Sequence, residues 1–171
     1  EYLKSLAEDL VDDAIETYCG RELDPAEWDL ESLKRELTRL FALEPEELLA
    51  IGLEGKNPEE MREAVWNRIS ARYDDKEKVV GPELLRRVER DIMLQIVDAQ
   101  WKDHLYSLDH LKEGIGLRGY GQRDPLVEYK RESFDLFQAM KVRVDEEIVR
   151  YLWWLRPILN EDALPVRRQA P

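Results

Sequence analysis

From Pro82 to Leu111 apolar residues return every three to five positions: Leu85, Val88, Ile92, Ile96, Trp101, Leu105, Leu108 and Leu111. No glycine or further proline interrupts them. That spacing is one face of an α-helix, and about 32 residues at 1.5 Å each make a helix of roughly 48 Å. The stretch GIGLRGYGQRDP then breaks the pattern at residues 114 to 125. It resumes with Leu126, Tyr129, Phe134, Phe137, Met140, Val144, Ile148, Leu152 and Leu155, until Pro157. Two long helices joined by a short glycine-rich link make an antiparallel hairpin. Helices of this length need an apolar face packed along them, and the two stripes supply it to each other.

The residues before Pro82 read differently. Asp24-Pro25-Ala26-Glu27 and Asn57-Pro58-Glu59-Glu60 each offer a cap, a first-turn proline and a glutamate in the capping-box place. Glu44-Pro45 and Gly81-Pro82 mark further helix starts, and Asp124-Pro125 the last. Leu3, Leu6, Leu10, Ala14 and Tyr18 form one apolar face; Leu30, Leu33, Leu37 and Leu40 a second; Met61, Val65, Trp66, Ile69 and Tyr73 a third. No lasting two-residue alternation argues for a strand. The expectation is all-α: a small helical bundle over 1–80, a long antiparallel hairpin with a glycine-rich tip loop over 81–157, and a flexible extension over 158–171. Charge divides at the same place. Residues 1 to 80 carry 22 acidic and 11 basic side chains, residues 81 to 171 carry 16 and 15.

Several function classes drop out. A net charge of -12 without clustered Lys and Arg argues against nucleic acid. One cysteine, Cys19, allows no internal disulfide and no paired-thiolate metal site, and fits a reducing cytosol. No run approaches the roughly 20 apolar residues that span a bilayer, and no signal peptide is visible. There is no GxxxxGK[ST], hence no Walker A site; Gly114-Ile115-Gly116 follows a helix rather than a strand, which argues against a dinucleotide fingerprint. The chain opens at Glu1 inside a helical pattern, so it is expected to be a piece of a longer protein.

The tip is the informative part. Gly114 or Gly116 is a natural left-handed helix end, and Asp124-Pro125 restarts the chain. Tyr120, between Gly119 and Gly121, is needed by neither task. It either folds back on the hairpin or touches another molecule.

The run MLQIVDAQWKDHLYSLDHLKEGIGLRGYGQRDPLVEYKRESFDLFQAM, residues 93 to 140, resembles the helical scaffold of the SecA preprotein translocase ATPase family. EKVVGPELLRRVERDI, residues 77 to 92, is similar to the entry into that scaffold, and residues 1 to about 80 more loosely resemble the family's helical wing. The resemblance implies that the hairpin is the two-helix finger, whose tip contacts secretory preprotein at the mouth of the SecYEG channel. Tyr120 matches the bulky tip residue, with Gly119, Gly121, Gln122 and Arg123 around it. Gly121 stands where alanine is common, which implies a looser tip. Trp101, Leu105 and Arg118 lie in the segment that couples to the motor domains. The resemblance further implies that ATP and magnesium belong to parts of the family absent here, so this chain is non-catalytic and holds no cofactor. The implied setting is the bacterial cytoplasm and the cytoplasmic face of the inner membrane. A free-standing helical-hairpin scaffold or adaptor is the alternative.

Other residues read more plainly. His104 and His110 are six apart, outside the three- or four-residue spacing of zinc pairs on a helix, and suit surface or hairpin packing. Trp153 and Trp154 pack at the hairpin base or against further domains, with membrane-surface contact as the alternative. Trp28 and Trp66 are expected to anchor the wing core. Acid pairs such as Asp12-Asp13 and Asp74-Asp75 read as solvated.

Overall fold

Capping side chains cut the first eighty residues into four helices. The computed structural model describes residues 1–116 and 124–157. It begins with α1 (Tyr2–Cys19), a 3-10 turn (Pro25–Glu27), α2 (Leu30–Phe41), α3 (Pro45–Ile51) and α4 (Pro58–Val80). The Asn57 side chain accepts from the Glu60 amide at 2.9 Å, and the Asn57 amide donates back to Glu60 at 3.0 Å, the expected capping box. Glu44 and Glu47 repeat it at α3. The Asp24-Pro25 signal produces only the three-residue turn. Asp24 accepts from Ala26 two residues on, Trp28 returns to extended backbone, and Asp29 restarts the chain by accepting from Ser32 at 2.9 Å.

The four helices close around one apolar core. Val11 and Ile15 of α1, Leu33, Leu37 and Phe41 of α2, and Met61, Val65 and Ile69 of α4 are fully buried there. Trp28 and Trp66 are not its anchors. Both are half-buried at its edge, and the Trp28 indole N–H has no hydrogen-bond partner among the described residues. The large rings at the centre are Phe41, Tyr73 and, from the far end of the chain, Trp153.

The hairpin is α5 (Pro82–Ile115, 34 residues) and α6 (Pro125–Trp154, 30 residues), about 51 and 45 Å long at 1.5 Å per residue. They run antiparallel: Gln100 meets Arg143 and Glu147, His104 meets Phe137, and Lys112 lies near Tyr129. Their seam departs from the apolar stripe read from sequence at Trp101 and Leu105. Ile92 and Ile96 lead into Gln100 and His104, then Leu108 and Leu111, while Trp101 and Leu105 turn to solvent at 44% and 45% exposure. From Ile92 to Leu108 the inward places fall every fourth residue, and polar side chains fill two of them. Among the described residues there is no strand.

Candidate functional site

At the tip end, α5 closes on Gly116 in right-handed helical conformation (φ -60°, ψ -29°), so neither Gly114 nor Gly116 is a left-handed cap. Residues 117–123 lie outside the described residues. Arg118, Gly119, Tyr120, Gly121, Gln122 and Arg123 are therefore not placed, and neither is the 158–171 extension. The return helix starts as its sequence demands. Pro125 fills the first position and Asp124 accepts from the Leu126 amide at 2.9 Å. Lys112, Ile115, Pro125, Leu126 and Tyr129 line a shallow, largely apolar cleft of about 330 Å³ beside the tip.

Along the rod, Leu94, Val97, Trp101 and Leu105 share one exposed face of α5 at helical spacing. Phe134 and Phe137 of α6 are exposed at 60% and 38%. The two sets meet through His104, which is 4% exposed, with its ring 5.5 Å from Trp101 and 5.9 Å from Phe137. Sequence reasoning placed Trp101 and Leu105 both in the seam and in the coupling segment. The structure puts them outside the seam, available to another surface. It also makes His104 a hairpin-packing residue, while His110 is exposed, 3.8 Å from Glu113. Hairpin packing was one of the two roles the sequence allowed His104, whereas nothing in it singled out Gln100. Their four-residue spacing from Ile96 was the available signal.

At the base, burial and charge concentrate. Trp153 is 1% exposed and donates its indole N–H to the Ile69 carbonyl at 3.2 Å. Trp154 lies half outside and donates to the Arg39 carbonyl at 2.9 Å. Both tryptophans thus pack against the bundle. The Glu89 carboxylate, 5% exposed, takes the Tyr73 hydroxyl and the Arg86 guanidinium. Burial and the Glu89 carboxylate push the Tyr73 phenol well above its usual range. Lys76, 8% exposed, donates to the Leu152 and Trp153 carbonyls; burial, helped by Arg72, lowers its ammonium to about 8. Across α3 and α4, burial pulls the Glu47 carboxyl upward, but the Glu44 amide, Arg68 and Arg72 outweigh it and hold it below the usual range.

Among the described residues no group of three or more His, Cys, Asp or Glu side chains could hold a metal ion. No described helix is long and apolar enough to cross a membrane. Cys19 is buried, and burial with Asp29 nearby raises its thiol. The described residues offer surfaces: a partly covered rod, an apolar cleft at its far end, and a base held into a bundle.

A family model described as SecA Wing and Scaffold domain matches residues 1–156. Among curated relatives, a protein translocase subunit SecA of Koribacter versatilis (strain Ellin345) is 42% identical over 176 residues, covering 100% of this chain and 17% of its own length. Those of Solibacter usitatus (strain Ellin6076) and Pelotomaculum thermopropionicum (strain DSM 13744 / JCM 10971 / SI) are 40% and 41% identical, over 94% and 92% of the chain. The chain spans 16% and 18% of those two proteins.

Proposed function

Since the chain belongs to the SecA wing and scaffold family, we propose that it serves as the wing and two-helix finger of a protein translocase. In this reading residues 81–157 are the finger and residues 1–80 the wing that carries it. Tyr120, with Gly119, Gly121, Gln122 and Arg123, meets unfolded secretory preprotein at the mouth of the SecYEG channel. Trp101, Leu105 and Arg118 face the motor domains, which bind and hydrolyse ATP with magnesium; this chain contributes no catalytic group. The setting is the cytoplasmic face of the bacterial inner membrane, reached by peripheral contact.

The observation that carries the reading is the exposed apolar face of the rod. Four large side chains lined along α5, with two phenylalanines across the seam, are surface that a self-sufficient hairpin would bury. A translocase must also accept any unfolded sequence. One aromatic ring with a hydroxyl gives apolar contact and a hydrogen bond with little sequence preference, and a long rod carries it far from the motor.

The decisive experiment places Tyr120→Gly in the complete translocase and measures preprotein import into vesicles. The reading expects slowed import and, in a separate Tyr120→Cys chain, a disulfide cross-link to a cysteine in a stalled preprotein. Import at the parental rate removes the tip from the mechanism.

A further inference from the structure

The covalent link between wing and hairpin carries no direction of its own. One residue, Gly81, separates α4 from α5, with φ 86° and ψ 145°. A Cβ there would meet nothing within 4 Å, so glycine is required for its torsion and not for space. Pro82 disfavours helical backbone at the residue before it, which keeps α4 and α5 from merging into one helix. A lone glycine tolerates many exit angles, so contacts elsewhere must select one.

Those contacts converge on the last turn of α6. The Trp153 ring sits 5.7 Å from Phe41 of α2 and 4.6 Å from Tyr73 of α4, and its N–H is taken by the Ile69 carbonyl. Beside it, the Lys76 ammonium caps the Leu152 and Trp153 carbonyls, the latter at 3.2 Å. These belong to the carbonyls that a helix leaves without donors at its C-terminus, where positive charge is also favoured. No carboxylate pairs with Lys76 among the described residues. An apolar side chain in its place would strand two buried acceptors. On the α5 side, Arg86 joins Glu89 to Glu77 of α4, the latter at 2.8 Å.

We propose that Trp153 and Lys76 are positioning residues that fix the angle at which the hairpin leaves the wing, the indole as a peg in the bundle and the lysine as a clasp on the carbonyl end of α6. The wing then aims the rod through the end of the returning helix and not through the peptide link. This concerns the described residues alone and stands whether or not the tip touches a passing polypeptide.

The test is a pair of spin-label distances in the full chain with Cys19→Ser. Labels at Glu63 and Asp109 report wing against rod; labels at Arg90 and Asp135 report the hairpin alone. Trp153→Ala and Lys76→Met are each expected to abolish the single narrow wing-to-rod peak while leaving the within-hairpin peak and the helical circular dichroism intact. Lys76→Arg, which keeps the donors, restores the narrow peak. If Trp153→Ala fails to fold, the Lys76→Met and Lys76→Arg comparison decides alone. An unchanged wing-to-rod peak in Lys76→Met overturns the proposal. So does broadening of both pairs together, which is general loosening, or a Lys76→Arg chain as broad as Lys76→Met.

Discussion

The wing and the rod spend apolar side chains in opposite ways. In the wing nearly every large aliphatic residue of the helical faces goes inward: Leu33, Leu37, Val65 and Ile69 are all at 0% exposure. In the rod Gln100 and His104 occupy the seam while Leu94, Val97, Trp101 and Leu105 face out. The wing's apolar faces are therefore covered within this chain, by one another and by Leu152 and Trp153 at the end of α6. The rod leaves that much apolar surface uncovered within this chain. The contrast separates a part that holds from a part that contacts, and substitutions in each should behave differently.

The largest expected effect lies in the wing. Leu37→Ala removes a fully buried side chain from the middle of the bundle and should cost about 3 kcal/mol, the sum of lost transfer energy and the cavity left behind. Denaturant unfolding of the chain checks it. A cost below about 1 kcal/mol would place Leu37 with the exposed rod positions and dissolve the contrast.

Where the two regions join, the expected effect depends on pH. The Lys76 ammonium is lowered to about 8 from an ordinary 10.5. Between those values the unfolded chain still holds the proton that the folded chain has released, so stability must rise with pH. The slope approaches about 1 kcal/mol per unit. A neutral amine keeps two N–H donors for the Leu152 and Trp153 carbonyls, so the clasp survives deprotonation. The groups facing Lys76 set the limits of the window. Arg72 pushes the same way, and Tyr73, held protonated by burial and Glu89, acts oppositely once the unfolded phenol ionises near 10. Cys19, with its raised thiol, also opposes the rise near 9. Subtracting a Lys76→Met chain measured at the same pH removes both. The difference between the two chains should change from pH 7.5 to 9.5; a flat difference means the ammonium is not desolvated.

A smaller effect is expected within the seam. The Gln100 amide donates to Glu147 at 3.1 Å, and Arg143 donates to its carbonyl oxygen at 3.2 Å. Half-buried polar pairs of this kind fix register more than they stabilise. Gln100→Leu should hold or raise stability by no more than about 1 kcal/mol. It should also let cysteine pairs one helical turn out of line begin to cross-link. A single register in that chain would assign alignment to the apolar contacts alone.

How much of this was legible follows from the same contrast. The wing's faces could be read because burial and apolarity coincide: Leu33, Leu37, Met61, Val65 and Ile69 sit where their spacing puts them. The rod's length and breaks were legible for the same reason, through Pro82, Pro125 and Pro157. The seam was not, because a reader following apolar residues steps from Ile96 to Trp101, one place off the inward series that continues through Gln100 and His104. The Trp28 and Trp66 expectation failed similarly, since size favours burial but the bundle's centre had already been filled by Phe41, Tyr73 and Trp153. That last ring arrives from a helix eighty residues away, and no local pattern announces it. The tip residues from Arg118 to Arg123 rest on the family resemblance and await the experiment on Tyr120.

The smallest stability effect should come from the most exposed member of the rod's open face, and its smallness is what makes it useful. Leu94 is 63% exposed, so Leu94→Ser removes little buried surface and should change the unfolding free energy of the chain by less than about 0.5 kcal/mol. Val97 and Leu105, on the same face, should follow. If that face is a contact surface, its apolar area is buried only on assembly, and the cost of the serine is deferred to that step at about 25 cal/mol per Å² of apolar surface covered. The same substitution in the complete translocase should then lower the temperature at which the scaffold and motor parts come apart, although the isolated chain is indifferent to it. An effect absent in both settings leaves the stripe as ordinary exposed surface, and the division between a part that holds and a part that contacts would have to be drawn at the tip alone.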